Sequence, residues 1–169
     1  MRPCRILICV LLAAGLPACA AAPRQRPIKG ADVDAGPGSL EAVRRQLKGT
    51  WALTSYEIYP QSGRQQVAAA AQLTYDEFGN LKIDGQVSSD RSRPALLNYS
   101  GRVTIDPRAS ELHLMDIEGS AGAVPDSVER SLTPENTRHY ELTQSTLTLT
   151  VVDRQGKTTA RSMWKRVSD

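Results

Sequence analysis

The sequence predicts an all-β fold: an eight-stranded antiparallel up-and-down barrel with one short N-terminal helix. Three observations predict it. Between Thr50 and Val167, eight segments rich in β-branched and aromatic residues tend to alternate with period two, most clearly at residues 146–152. Most connections between them are short enough for hairpins. A single helical period, Leu40, Val43 and Leu47, precedes the first of them. Consecutive hairpins of that number close into a barrel, which leaves no exposed edge. A two-sheet sandwich is the competing arrangement.

The chain begins with a targeting segment. Arg2 and Arg5 precede an apolar run, Ile6 to Leu16, of 11 residues. A bilayer core of about 30 Å needs roughly 20 residues, so this run fits a signal peptide and not a span. Leu16-Pro17-Ala18-Cys19 resembles a bacterial lipobox. That resemblance implies cleavage before Cys19, acylation of its thiol, and a lipoprotein on the periplasmic side of a bacterial envelope. Ala20, where an Asp tends to retain lipoproteins at the inner membrane, points to the outer membrane. Ala18-Cys19-Ala20 also satisfies an A-x-A cleavage pattern, which would release a soluble periplasmic or secreted protein.

Processing changes the arithmetic. The 169 residues hold 21 Lys and Arg against 18 Asp and Glu, a formal +3. Loss of residues 1–18 removes Arg2 and Arg5 and no acid, leaving 19 basic and 18 acidic residues and a formal +1. Nucleic acid is therefore not an expected partner. Cys4 and Cys9 leave with the signal and Cys19 is acylated or removed, so the folded domain has no thiol. That suits an oxidising compartment.

Residues 19–38 carry Pro23, Pro27, Pro37, Gly30, Gly36 and Gly38 with few large apolar residues, and read as a flexible tether. It reaches about 60 Å fully extended and about 25 Å as a coil. The barrel domain follows over residues 39–169. Ser39 is a good N-cap for a helix over 39–48, Glu41 and Lys48 suit its dipole, and Gly49 is placed as a left-handed C′ stop. The strands then run 50–59, 67–75, 81–87, 97–105, 111–119, 137–142, 146–152 and 158–167. The alanines at 68–71 weaken the second. Two longer loops, 88–96 and 120–136, interrupt the hairpins. In 111–118 neither alternating face is cleanly apolar, so its lumen side is not assigned.

Gly49-Thr50-Trp51 is a G-x-W on the first strand, just after a short helix. Leu73 to Leu81 (LTYDEFGNL), Tyr99 to Asp106 (YSGRVTID) and Arg138 to Leu142 (RHYEL) with Leu147-Thr148-Leu149 follow in order. Together these resemble bacterial lipocalin-like domains over about residues 40–167. The resemblance implies a calycin-type barrel whose end is closed by Gly49 and Trp51, with Arg161 or Arg166 stacked on the indole. Such a cation–π contact contributes about 0.5–2 kcal/mol.

An eight-stranded barrel is either filled by side chains or holds one small ligand. Tyr56, Tyr75, Tyr99 and Tyr140 are the candidate ligand-binding residues, each offering an apolar body and one hydroxyl; each also fits a filled core. No catalytic residues are expected, since no G-x-S-x-G, H-E-x-x-H or G-x-x-x-x-G-K is present. No metal or cofactor is expected from two histidines, His113 and His139, without thiols. The expected function is binding of a small, partly apolar ligand by an envelope-anchored protein. The alternatives are a filled barrel that engages a protein partner and, less favoured, an isomerase or cyclase built in the lumen.

Overall fold

The computed structural model describes residues 36–88, 94–121 and 137–169, without the side chains of 120 and 121. The segment expected to be a signal peptide, Cys19, most of the expected tether and the greater part of both long loops lie outside the described residues.

Helix α1 spans Leu40–Leu47. The Ser39 side chain accepts a hydrogen bond from the Ala42 amide at 3.2 Å, satisfying an orphan N–H of the first turn. Val43 and Leu47 are buried and Leu40 lies at the exposed rim. The strands are β1 (Gly49–Ile58), β2 (Gln65–Gln66), β3 (Ala68–Tyr75), β4 (Asn80–Ser88), β5 (Ala95–Asp106), β6 (Glu111–Ala121), β7 (Thr137–Leu142), β8 (Thr146–Val152) and β9 (Thr158–Ser168). Every pairing is antiparallel, and β1 also pairs with β9. The sheet is therefore a closed ring of eight strands, with β2 as a two-residue extension of β3.

β2 and β3 are one strand interrupted at Val67. Glu57 and Ile58 of β1 pair with β2, while Gly49 to Ala52 pair with β3 one residue out of register. Strand β1 has its own bulge against β9 between Leu53 and Ser55. Trp51 and Tyr56, five apart, are consequently both buried, where strict alternation would place them on opposite faces.

β6 shows why its faces were illegible in sequence. The β5–β6 register shifts between Ser100 and Arg102, and Asp116 takes φ +51°. This bulge swaps the two faces midway. Leu112 is buried before it. After it, Ile117 fills the space beside Gly101, where a Cβ would meet the Ile117 Cδ1 at 2.5 Å.

Lys48 is the C-cap, with φ −52° and ψ 137°, which makes Gly49 the C′ residue. Gly49 has a positive φ, +122°, and also opens β1. A Cβ there would stand 2.3 Å from the Ser168 carbonyl oxygen. Both the positive φ and the close approach of β9 to β1 require glycine here.

The interior has two layers. The lower one joins Val43 and Leu47 of α1 to Trp51, Leu73, Tyr75, Tyr140 and Trp164 among others. The helix thus plugs this end of the barrel. The upper one includes Tyr56, Val67, Val87, Leu97, Val151 and Ala160.

Candidate functional site

Two arrangements stand out: a closure at the helix end and a cavity in the lumen. At the closure, Trp51 is fully buried, and its indole N–H donates to the Leu47 carbonyl at 2.9 Å. One bond satisfies both a buried donor and an orphan carbonyl of the last helical turn. The Arg166 guanidinium lies 4.1 Å from the Trp51 ring centroid. Its Nε donates to the Gln144 carbonyl at 2.7 Å and its Nη1 to the Lys48 carbonyl at 2.6 Å. Its Nη2 donates to the Gln46 carbonyl. Arg166 thereby ties the helix C-terminus to the β7–β8 turn, with its charge at the favourable end of the helix dipole.

Arg161 lies elsewhere. It pairs with Glu57 in the β1–β9 ladder, and its guanidinium meets Glu141 at 3.8 Å. Glu57 is buried beneath Tyr59 and Arg64, accepting from the Tyr59 hydroxyl at 2.8 Å and from the Arg64 guanidinium. These two bonds, the tyrosine's first, hold its carboxyl below the usual glutamate range.

The cavity has a volume of about 60 Å³ and an almost wholly apolar wall. That exceeds the roughly 10–15 Å³ one water requires and falls short of the ~150 Å³ known to admit benzene. Leu53, Leu149 and Val151 contribute bulk, and Ala69, Ala71 and Ala160 leave the room. The alanines that weaken the 67–75 segment as a strand are thus among the residues that open the lumen.

Of the four tyrosines, Tyr56 lines this cavity. Tyr75 and Tyr140 belong to the lower layer, and burial raises both phenols above their usual range. Tyr99 packs against the upper layer. The structure therefore does not gather the four into one site.

Arg138 was not singled out by the sequence. It is 8% exposed, lines the cavity, and lies directly across from Leu112 and Val151 in the ladders. Burial pushes its guanidinium below the usual arginine range, opposed by the nearby Tyr56. A signal was available: Arg138, Tyr140 and Leu142 share one face of β7, and two of them are apolar or aromatic.

His113 and His139 flank Glu111 at 3.5 and 3.6 Å. Among the described residues, no group of three or more His, Cys, Asp or Glu side chains is arranged to hold a metal ion. No described helix is long and apolar enough to cross a membrane.

No protein-family model and no curated protein matches the chain. A solved structure, that of a redesigned β-barrel, is similar over 73% of this chain and 94% of its own, at 17% identity and a TM-score of 0.41. The class that the fold defines is a closed eight-stranded antiparallel β-barrel, plugged by a helix at one end, with a small apolar cavity within.

Proposed function

We propose that this is a lipocalin-like binding protein, anchored in the bacterial envelope through Cys19. It holds a small, partly apolar molecule in the barrel lumen without transforming it. The observation that carries this reading is the cavity itself: about 60 Å³ of apolar space with a buried arginine on its wall. Protein interiors rarely leave such room unfilled, and binding sites are typically apolar with few polar groups. The ordered resemblance from Gly49 to Leu149 supports the lipocalin-like reading, and the lipobox-like segment supports the envelope address.

The volume also favours a second reading. Drug-sized ligands occupy about 300–1,000 Å³, so the guest is small or the barrel is a filled scaffold for a protein partner. Native mass spectrometry of the gently purified protein, with and without added short-chain amphiphiles, separates the two. A retained or added guest at one-to-one stoichiometry is expected. A protein that carries none and accepts none would support the scaffold.

A further inference from the structure

We infer that the helix-plugged end of the barrel is a membrane-docking surface, on which Phe78 enters the interfacial layer of the bilayer that holds the Cys19 anchor. This rests on the envelope anchor proposed above and adds the orientation of the barrel on the lipid.

Phe78 is the chain's one phenylalanine, and it is 77% exposed at the tip of the β3–β4 turn. The turn around it is tightly braced. The Asp76 carboxylate accepts from the Phe78 amide at 2.9 Å, the Asn80 amide at 2.8 Å and the Asn80 side chain at 2.7 Å. Gly79 takes φ +84°. Its amide donates to the Asp76 carbonyl at 3.3 Å, and its carbonyl accepts from the Val103 amide at 2.9 Å. A large apolar side chain is thus held in water on a fixed backbone, so little backbone entropy is left to lose when a partner covers it.

Its surroundings extend an apolar rim. Phe78 borders a hollow that it shares with Lys48 and Gly49 at the helix C-terminus and with Asp169. Val167, 59% exposed, lies two residues before Asp169, and Leu40 opens α1 at the same end. Arg44, Arg45 and Lys48 lie on the exposed face of α1, and Lys48 reaches Glu77 beside Phe78 at 3.8 Å. Long basic side chains around an aromatic ring suit a bilayer interface: the ring enters the acyl boundary and the charges stay among the headgroup phosphates.

The occupant follows from where the chain enters. The described residues begin at Gly36, just before the Ser39 cap, so the expected tether joins the barrel at this end. That tether spans about 60 Å at most. An acyl anchor at Cys19 therefore keeps this end at high effective concentration over the lipid, and a modest apolar contact is enough to orient it. Leu96 is exposed toward the other end, but the tether does not enter there.

The test uses the acylated protein in vesicles of phosphatidylethanolamine and phosphatidylglycerol. Residues 36–169 contain no cysteine, so a fluorophore can be placed on a single introduced thiol. One label sits at Arg108→Cys, on the β5–β6 turn at the helix end, and another at Arg154→Cys, on the β8–β9 turn at the opposite end. Nitroxide-bearing lipids should quench the first about twofold or more over the second. Phe78→Ser should remove that difference with acylation and thermal unfolding unchanged, and Phe78→Trp should preserve it. Equal quenching at the two ends, or quenching at position 108 that Phe78→Ser does not move, would overturn the docking surface. Shielding of position 108 in whole envelopes but not in pure lipid would assign Phe78 to a protein partner and overturn it as well. Failure of docking in an acylated protein leaves the anchor and the lumen guest standing, whereas a Cys19 without acyl chains removes the anchor and this surface together.

Discussion

The Arg166 guanidinium stacks 4.1 Å from the centre of the Trp51 ring while its nitrogens hold the Gln46, Lys48 and Gln144 carbonyls. Trp51 in turn holds the Leu47 carbonyl. Two side chains from the first and last strands thus satisfy three carbonyls at the end of α1 and lock the helix against the barrel seam. Trp51→Ala should cost about 3–5 kcal/mol, as for other buried large-to-small changes. Arg166→Met should cost about 2–3 kcal/mol, and Arg166→Lys less, since it keeps the charge and loses the fork. Urea denaturation of the three variants measures this. A double-mutant cycle should show coupling between the two positions.

Gly49 and Gly63 separate strain from crowding. Both have positive φ, +122° and +109°. A Cβ at Gly63 meets nothing within 4 Å, whereas at Gly49 it meets the Ser168 oxygen at 2.3 Å. Gly63→Ala should therefore cost about 1 kcal/mol from backbone strain alone, and Gly49→Ala about 2–4 kcal/mol. Equal losses in thermal unfolding would contradict the close approach of β9 to β1.

Glu57 makes stability depend on acid pH. Its carboxyl titrates below the usual glutamate range in the folded state because Tyr59 and Arg64 bond the charged form. The stabilisation is then fully present above the unfolded-state value. It is lost as pH falls from there through the lower folded-state value. Glu57→Gln should flatten that acid limb of the stability curve while changing little of its slope at neutral pH.

Cys19 carries the proposed anchor. Palmitate labelling should mark the wild-type protein and fractionate it with membranes, and Cys19→Ala should abolish both. Unlabelled wild-type protein in the soluble fraction would instead place cleavage in the Ala18-Cys19-Ala20 region.

The ring of strands was legible because hairpin spacing and β-rich composition survive local irregularity. Strand β8 shows this best: Leu147, Leu149 and Val151 alternate without a break and all three are buried. Where a bulge intrudes the pattern fails, as at Asp116, because one inserted residue inverts every later face. The closure was half legible. Trp51 was named with two candidate arginines, and only the β1–β9 register decides which of them lies over the indole. The lumen was the least legible. Its space comes from small residues on β3 and β9, the two strands that flank β1, and its polar edge from Arg138 on β7 and Arg161 on β9. No local window of sequence brings these together.

The central claim is that a guest occupies the lumen, and methyl-labelled NMR of the protein tests it most directly. With a bound short-chain amphiphile, nuclear Overhauser contacts should run from its terminal methyl to the methyl groups of Leu53, Leu149 and Val151, the apolar wall of the cavity. Contacts confined to exposed residues such as Leu96 or Met115, with the lumen methyls unperturbed, would contradict it.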